Sequence, residues 1–220
     1  MNYSLNIFWT ITACGTLFLF EYFFQVKKEG SHIQLHSTYR SILKNLVGAI
    51  IMCLPLILFF NHWRHLIAGS LWNSGLQVTV LSLFALGMAM FAFISAIKKS
   101  KHKDDKQEMS AGHFGIFIAS RIIFLVVYEC FFRGLILYFF IQAFGVIVAV
   151  TVNILLYTLI HVLKSRVEML ACIPFGFTLC AMTIWCRSIL PAVILHLVLA
   201  LVHETYLQFS QNQDPKIISI

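Results

Sequence analysis

The sequence predicts an all-α protein, a polytopic transmembrane helical bundle of about seven spans, and three observations carry that prediction. Of the 220 residues, 60% are hydrophobic and 11% charged, against about 45–50% and about 25% in soluble domains. The apolar residues form successive runs close to the roughly 20 residues that cross a hydrocarbon core of about 30 Å as a helix. The basic residues sit in the short segments between those runs. That is a topological pattern and speaks against nucleic acid as a partner, in spite of the +7 formal charge.

The expected spans are 4–26, 42–61, 72–97, 117–141, 143–163, 167–186 and 188–206. The first lacks a basic leader and a small-residue cleavage site, and its apolar run is too long for a signal-peptide core, so it reads as a membrane helix. The second and third are apolar runs of spanning length. The fourth stretch begins near His113 and exceeds a perpendicular span, so its first turns are expected along the interface with Arg121 at the boundary. Glu21 and Arg121 lie near that interface, where snorkelling makes a charge cheap. The fifth carries Asn153, Tyr157 and His161 on an otherwise aliphatic helix. The sixth and seventh are separated by "CRSILP", a tight turn with Pro191 early in the following helix.

Orientation follows from lysine and arginine in the short loops. Lys27, Lys28, Arg40 and Lys44 occupy the first loop, Lys98, Lys99, Lys101, Lys103 and Lys106 the third, and Lys164 and Arg166 the fifth. The even loops hold only Arg64 and Arg187. The expectation is an integral protein of a bacterial inner (plasma) membrane, with the N-terminus outside and the C-terminus, carrying Lys216, in the cytoplasm. Three regions are expected: N-terminal helices and a basic loop over 1–112, a core over 113–206 and a tail over 207–220. The six cysteines lie almost wholly in apolar runs without a CxxC and read as small packing residues.

Topology does not explain "YECFFRG", residues 128–134. A charge at bilayer depth costs something like 2.5–3.5 kcal/mol on insertion scales. Counting 1.5 Å per residue from Arg121 puts Glu129 about 12 Å into the membrane, with Arg133 one turn further on the same face. Asn153, Tyr157 and His161 form a stripe at i, i+4 and i+8 that should face the bundle interior. His196 lies near mid-depth of the seventh span, and His203 a heptad later on the same face. A buried glutamate and a histidine together can polarise water for attack on a peptide carbonyl, and a second histidine can donate to the developing oxyanion. The same residues also admit a structural reading: an ion pair that fixes helix packing, and histidines that hydrogen-bond between helices.

Over about residues 115–206 these motifs resemble the CPBP, or Abi, family of intramembrane peptidases, which includes the type II CAAX prenyl endopeptidases. That family's first motif is two glutamates, three residues and arginine, often followed by glycine; "YECFFRG" supplies Glu129, Arg133 and Gly134. Its second is an aromatic residue, three others and histidine, here Tyr157 and His161 in "YTLIH". Its third is histidine, three residues, then asparagine or aspartate, which brings His196 of "SILPAVILH" into register. Two positions depart from the pattern. Tyr128 stands where the family has its first glutamate, generally the water-activating base, and Ala200 stands at the asparagine.

The resemblance implies an intramembrane endopeptidase acting on a membrane-associated protein or peptide. Glu129 would be the general base with His161 sharing the proton, His196 the oxyanion donor, and Arg133 the holder of Glu129. Asn153 would substitute for the missing asparagine. No cofactor is implied; a zinc ion held by Glu129, His161 and His196 is a variant of the same chemistry. The alternative is a catalytically degenerate relative that binds a hydrophobic peptide or partner, as an immunity protein does. A proton-coupled carrier is a third class, against which stands the lack of an inverted repeat.

Overall fold

The computed structural model describes residues 11–20, 22, 36–67, 74–101, 109–162 and 166–212, and among them every regular element is helical. In order these are α1 (Ile11–Phe20), α2 (His36–Leu58), α3 (Phe60–Trp63), a 3-10 turn (Arg64–Leu66), α4 (Gly75–Lys101), α5 (Ala111–Glu129), a π-helical segment (Cys130–Ile136), α6 (Leu137–Phe144), α7 (Val146–His161), α8 (Arg166–Cys186) and α9 (Leu190–Asn212). Lys27, Lys28, Lys103, Lys106, Lys164, Lys216 and Glu21, used above for topology, lie outside the described residues.

Among the described residues five helices are long and apolar enough to cross a membrane: Thr38–Leu58, Gly75–Ser100, Ala111–Phe144, Glu168–Cys186 and Leu190–Ser210. Their outer faces expose Ile50, Ile57, Leu83 and Leu86, side chains that lipid solvates and water does not. The chain is an integral membrane protein. The expected fifth span, 143–163, is shorter than anticipated: α7 has 16 residues, about 24 Å of rise at 1.5 Å per residue. The preceding helix runs on to Phe144, and Gly145, with φ 83°, makes the break in a backbone region that disfavours any residue with a Cβ.

Local chemistry sets the other ends. Ser110 caps α5, its hydroxyl oxygen accepting from the His113 amide at 3.5 Å. Between α8 and α9 the chain turns through Arg187 at φ 48°. Pro191 then takes the second position of α9, where its missing N–H has no helical partner to lose.

The π-helical segment lies at the centre of the bundle. Phe131 through Ile136 are all buried, and the Leu137 amide reaches back five residues to the Phe132 carbonyl. The short α3 and its 3-10 turn fold against this segment. Trp63 donates its indole N–H to the Leu56 carbonyl at 3.0 Å, and a Cβ on Gly134 would stand 3.2 Å from the Trp63 ring. The Ile189 amide donates to the Leu66 carbonyl at 3.1 Å, which ties this turn to the start of α9.

α2 packs along α5 and α4 along α9, so helices before residue 113 belong to the same bundle as those after it. Asn45 donates to the Ser120 hydroxyl at 3.1 Å across the α2–α5 interface. α9 continues to Asn212, past the expected tail boundary at 207. Lys99 and Glu168 approach to 3.9 Å, so the third and fifth loops share one end of the bundle, as the charge pattern requires.

Candidate active site

The site forms where the last turn of α5 and the π-helical segment meet α7, α8 and α9. Glu129, the final residue of α5, is fully buried, and so is Arg133 one turn later. The Arg133 Nε lies 3.3 Å from Glu129 Oε2, close enough for an ion pair but off-line for a hydrogen bond. The guanidinium lies over the Tyr157 ring at 4.8 Å and near the Phe132 ring at 5.8 Å. Its two terminal nitrogens have no hydrogen-bond partner among the described residues. The arginine is therefore held by the carboxylate and by aromatic faces, which attract a cation more strongly once water is excluded.

The other carboxylate oxygen of Glu129 meets His196 of α9. Nδ1 and Oε1 are 2.5 Å apart, a hydrogen bond shorter than the about 2.7–2.9 Å usual for a charge-assisted N–H···O pair. With an ionised carboxylate beside Arg133, Nδ1 is the donor, which places the imidazole lone pair on Nε2. Both oxygens of Glu129 thus face protein partners, and Glu129 lines neither of the two cavities described below. The resemblance implies that His161 shares the proton of Glu129; the structure pairs Glu129 with His196.

His161 closes α7. Its Nδ1 donates to the Tyr157 carbonyl at 2.9 Å, and its ring lies against the Tyr157 ring at 4.8 Å between centroids. Asn153, expected to stand in for a missing oxyanion donor, is committed elsewhere. Its Nδ2 donates to the Phe132 carbonyl at 2.6 Å, and its Oδ1 accepts from the Cys180 thiol at 3.3 Å. These two bonds assign the amide orientation and anchor the π-helical segment to α7 and α8. Tyr128 is buried among Phe124, Phe132, Tyr157 and His196, and its hydroxyl has no hydrogen-bond partner among the described residues.

Two cavities meet at the histidines. The larger, about 800 Å³, is a groove between α4 and α8 with α9 beneath; Phe84, Met88 and Phe175 line its apolar length. Lys99, Arg121, Glu168, His203 and Glu204 border the same groove. The smaller, about 190 Å³, lies between α2, α5 and α9 and is more polar, with Ser41, Lys44, Asn45, Arg121 and Glu204 in its wall. His161 and His196 line both; Tyr128 lines the smaller and Tyr157 the larger. An apolar groove ending at imidazoles, with a polar cavity beyond them, can hold a hydrophobic peptide on one side and water on the other.

Among the described residues no group of three or more His, Cys, Asp or Glu side chains is arranged to hold a metal ion. In the zinc variant Glu129 and His196 would both be ligands, yet here they spend donor and acceptor on each other. Arg121, Lys44 and Glu204 were not among the sequence-derived site residues. A signal for Arg121 existed: it precedes Tyr128 by seven residues, two turns along the same face of α5.

A family model, Type II CAAX prenyl endopeptidase Rce1-like, matches residues 110–202. The matched segment runs from the cap of α5 into α9 and contains Tyr128, Glu129, Arg133, Asn153, Tyr157, His161 and His196. No curated protein and no solved structure matches the chain significantly.

Proposed function

From the premise that residues 110–202 are a segment of the Rce1-like type II CAAX prenyl endopeptidase family, we propose that the protein is an intramembrane endopeptidase. It hydrolyses a peptide bond in a membrane-associated protein or peptide with water activated by the Glu129–His196 pair. The observation that carries this reading is the 2.5 Å contact between Glu129 and an imidazole that borders both cavities. Glu129 itself is sealed, so the base passes to His196, and the glutamate fixes its tautomer and stabilises the imidazolium that forms. This arrangement follows the same logic as the acid–histidine pair of serine hydrolases.

In the reaction, Nε2 of His196 takes a proton from water as its oxygen bonds to the scissile carbonyl carbon. The carbonyl π pair moves onto oxygen, giving a tetrahedral oxyanion. When that oxyanion re-forms C=O, the C–N bond breaks and the imidazolium returns its proton to the departing amine. His161 borders the same space and supports proton movement there. Arg133 holds the carboxylate in place. The reaction needs no metal. The basic end of the bundle, with Lys99 and Lys44, is assigned to the cytoplasm, and the substrate reaches the groove from the bilayer.

A second reading, a family member that binds a hydrophobic peptide without cutting it, is favoured by a different observation. Tyr128 occupies the position of the first glutamate, and Ala200 borders the groove with no donor to offer. Comparison of protein termini in membranes carrying wild type, His196→Ala, His161→Ala, Glu129→Ala or no protein separates the two. Termini that require wild type and both histidines support hydrolysis. Identical termini in all samples, with the variants still rescuing a deletion phenotype, would leave the binding reading.

A further inference from the structure

The hydroxyl of Tyr128 is buried, and the structure gives it no hydrogen-bond partner among the described residues. A buried phenol usually finds one, and an unsatisfied one costs stability. Such a group in a packed interior calls for a reason. Tyr128 is one of the residues lining the polar cavity, together with His161 and His196. Its ring stands 6.0 Å from the His196 ring at 86° and 5.9 Å from that of Tyr157. Phe124 and Phe132 pack on it as well, with Phe132 stacked at 4.5 Å, so its aim is set by packing.

None of the three positions that the family pattern offers for an oxyanion donor serves. Asn153 has an Nδ2 bond to the Phe132 carbonyl and lines neither cavity. Ala200 has no polar atom. His196 is occupied as the base in the scheme above and cannot donate from Nε2 until it has taken the proton. None of these three then supplies the preorganised donor that is commonly the largest single contribution to acyl-transfer catalysis.

We propose that Tyr128 is that donor: the scissile carbonyl oxygen turns past the imidazoles toward the polar cavity that Tyr128 lines, and the Tyr128 O–H hydrogen-bonds to it as negative charge develops there. The phenol keeps its proton throughout. The residue in the base's usual position has thus exchanged roles with one in the third motif: His196 now abstracts the proton, and Tyr128 supplies the stabilisation. The inference rests on the peptidase reading and adds a catalytic residue to it.

The test is Tyr128→Phe in the full-length protein, reconstituted in liposomes. The substrate is a synthetic peptide spanning the junction that the terminus comparison identifies. Removing the hydroxyl should lower kcat by about a hundredfold, the lower end of what loss of one oxyanion donor costs elsewhere, with KM changed less than about twofold. Because that hydroxyl has no hydrogen-bond partner among the described residues, thermal stability of Tyr128→Phe should equal or exceed that of wild type. Wild-type turnover with unchanged kcat in the variant would overturn the role of Tyr128 and leave the peptidase reading standing. A fall in kcat matched by a fall in stability would assign the hydroxyl to structure and also overturn it. If wild type itself generates no termini, the peptidase reading fails and this inference fails with it.

Discussion

Replacing Arg133 with methionine tests whether the buried charges are a coupled unit. The substitution keeps most of the side-chain volume and removes the guanidinium, leaving Glu129 fully buried with His196 as its one remaining polar partner among the described residues. At the 3.3 Å separation of the pair, two unit charges attract by about 5 kcal/mol at an effective dielectric near 20. Loss of one member of a buried pair generally costs about 3–5 kcal/mol, mostly because the other charge is stranded. His196 retains its hydrogen bond to the carboxylate, so the lower part of that range is expected, about 3 kcal/mol.

The double variant Glu129→Gln, Arg133→Met should cost less than Arg133→Met alone, since a neutral amide oxygen still accepts from His196 and no charge is left unpaired. Stability can be followed by denaturant titration in mixed micelles, with Trp63 as the sole tryptophan after Trp9, Trp72 and Trp185 are changed to Phe. Trp63 abuts Gly134, next to Arg133. A single variant within about 1 kcal/mol of wild type, below the expected range, would refute the argument. So would additive effects in the double variant.

Three further outcomes follow from the same geometry. Asn153→Leu should destabilise the protein by about 1–3 kcal/mol, the cost of removing a buried hydrogen-bonding partner, and should weaken protection of the π-helical segment in amide exchange. Lys99→Ala breaks a pair whose side chains are about half exposed; the expected change is under about 1 kcal/mol and shrinks further at high salt in the same micelle titration. Treatment with a strong chelator should leave cleavage of the reconstituted substrate unchanged, and a loss restored by added zinc would reinstate the metal variant.

Much of this architecture was legible in the sequence because charge in a bilayer is expensive. Glu129 and Arg133 announced a pair by cost and spacing, and the structure holds them together in the way that spacing requires. The stripe of Asn153, Tyr157 and His161 also reads correctly as inward-facing on α7, although Asn153 serves the backbone and not the cavity. The partner of Glu129 was not legible. Its contact with His196 spans 67 residues of chain and depends on the relative rotation of α5 and α9, which no local pattern encodes.

The π-helical turn was equally hidden. "CFFRGLI" is an ordinary apolar run around one arginine, and its altered register is supported by Asn153 of another helix and by Trp63 folding underneath. Gly134 lets Trp63 approach, but a single glycine in an apolar helix has several explanations. The short α7 was missed because the apolar run continues through Gly145, and only the backbone conformation there divides α6 from α7. Depth alone places Arg121 at the membrane interface; that it borders both cavities follows from packing of α2 and α9 against α5 and of α4 along α9.

The most direct test of the central claim is isotopic. Wild-type protein and His196→Gln would be reconstituted with the polypeptide found by terminus comparison and incubated in ¹⁸O-labelled water. Hydrolysis by activated water places a single ¹⁸O in the new carboxylate, and the account predicts that label with wild type and its loss with His196→Gln. An intact, folded wild-type protein that binds the polypeptide and yields no labelled carboxylate would contradict it.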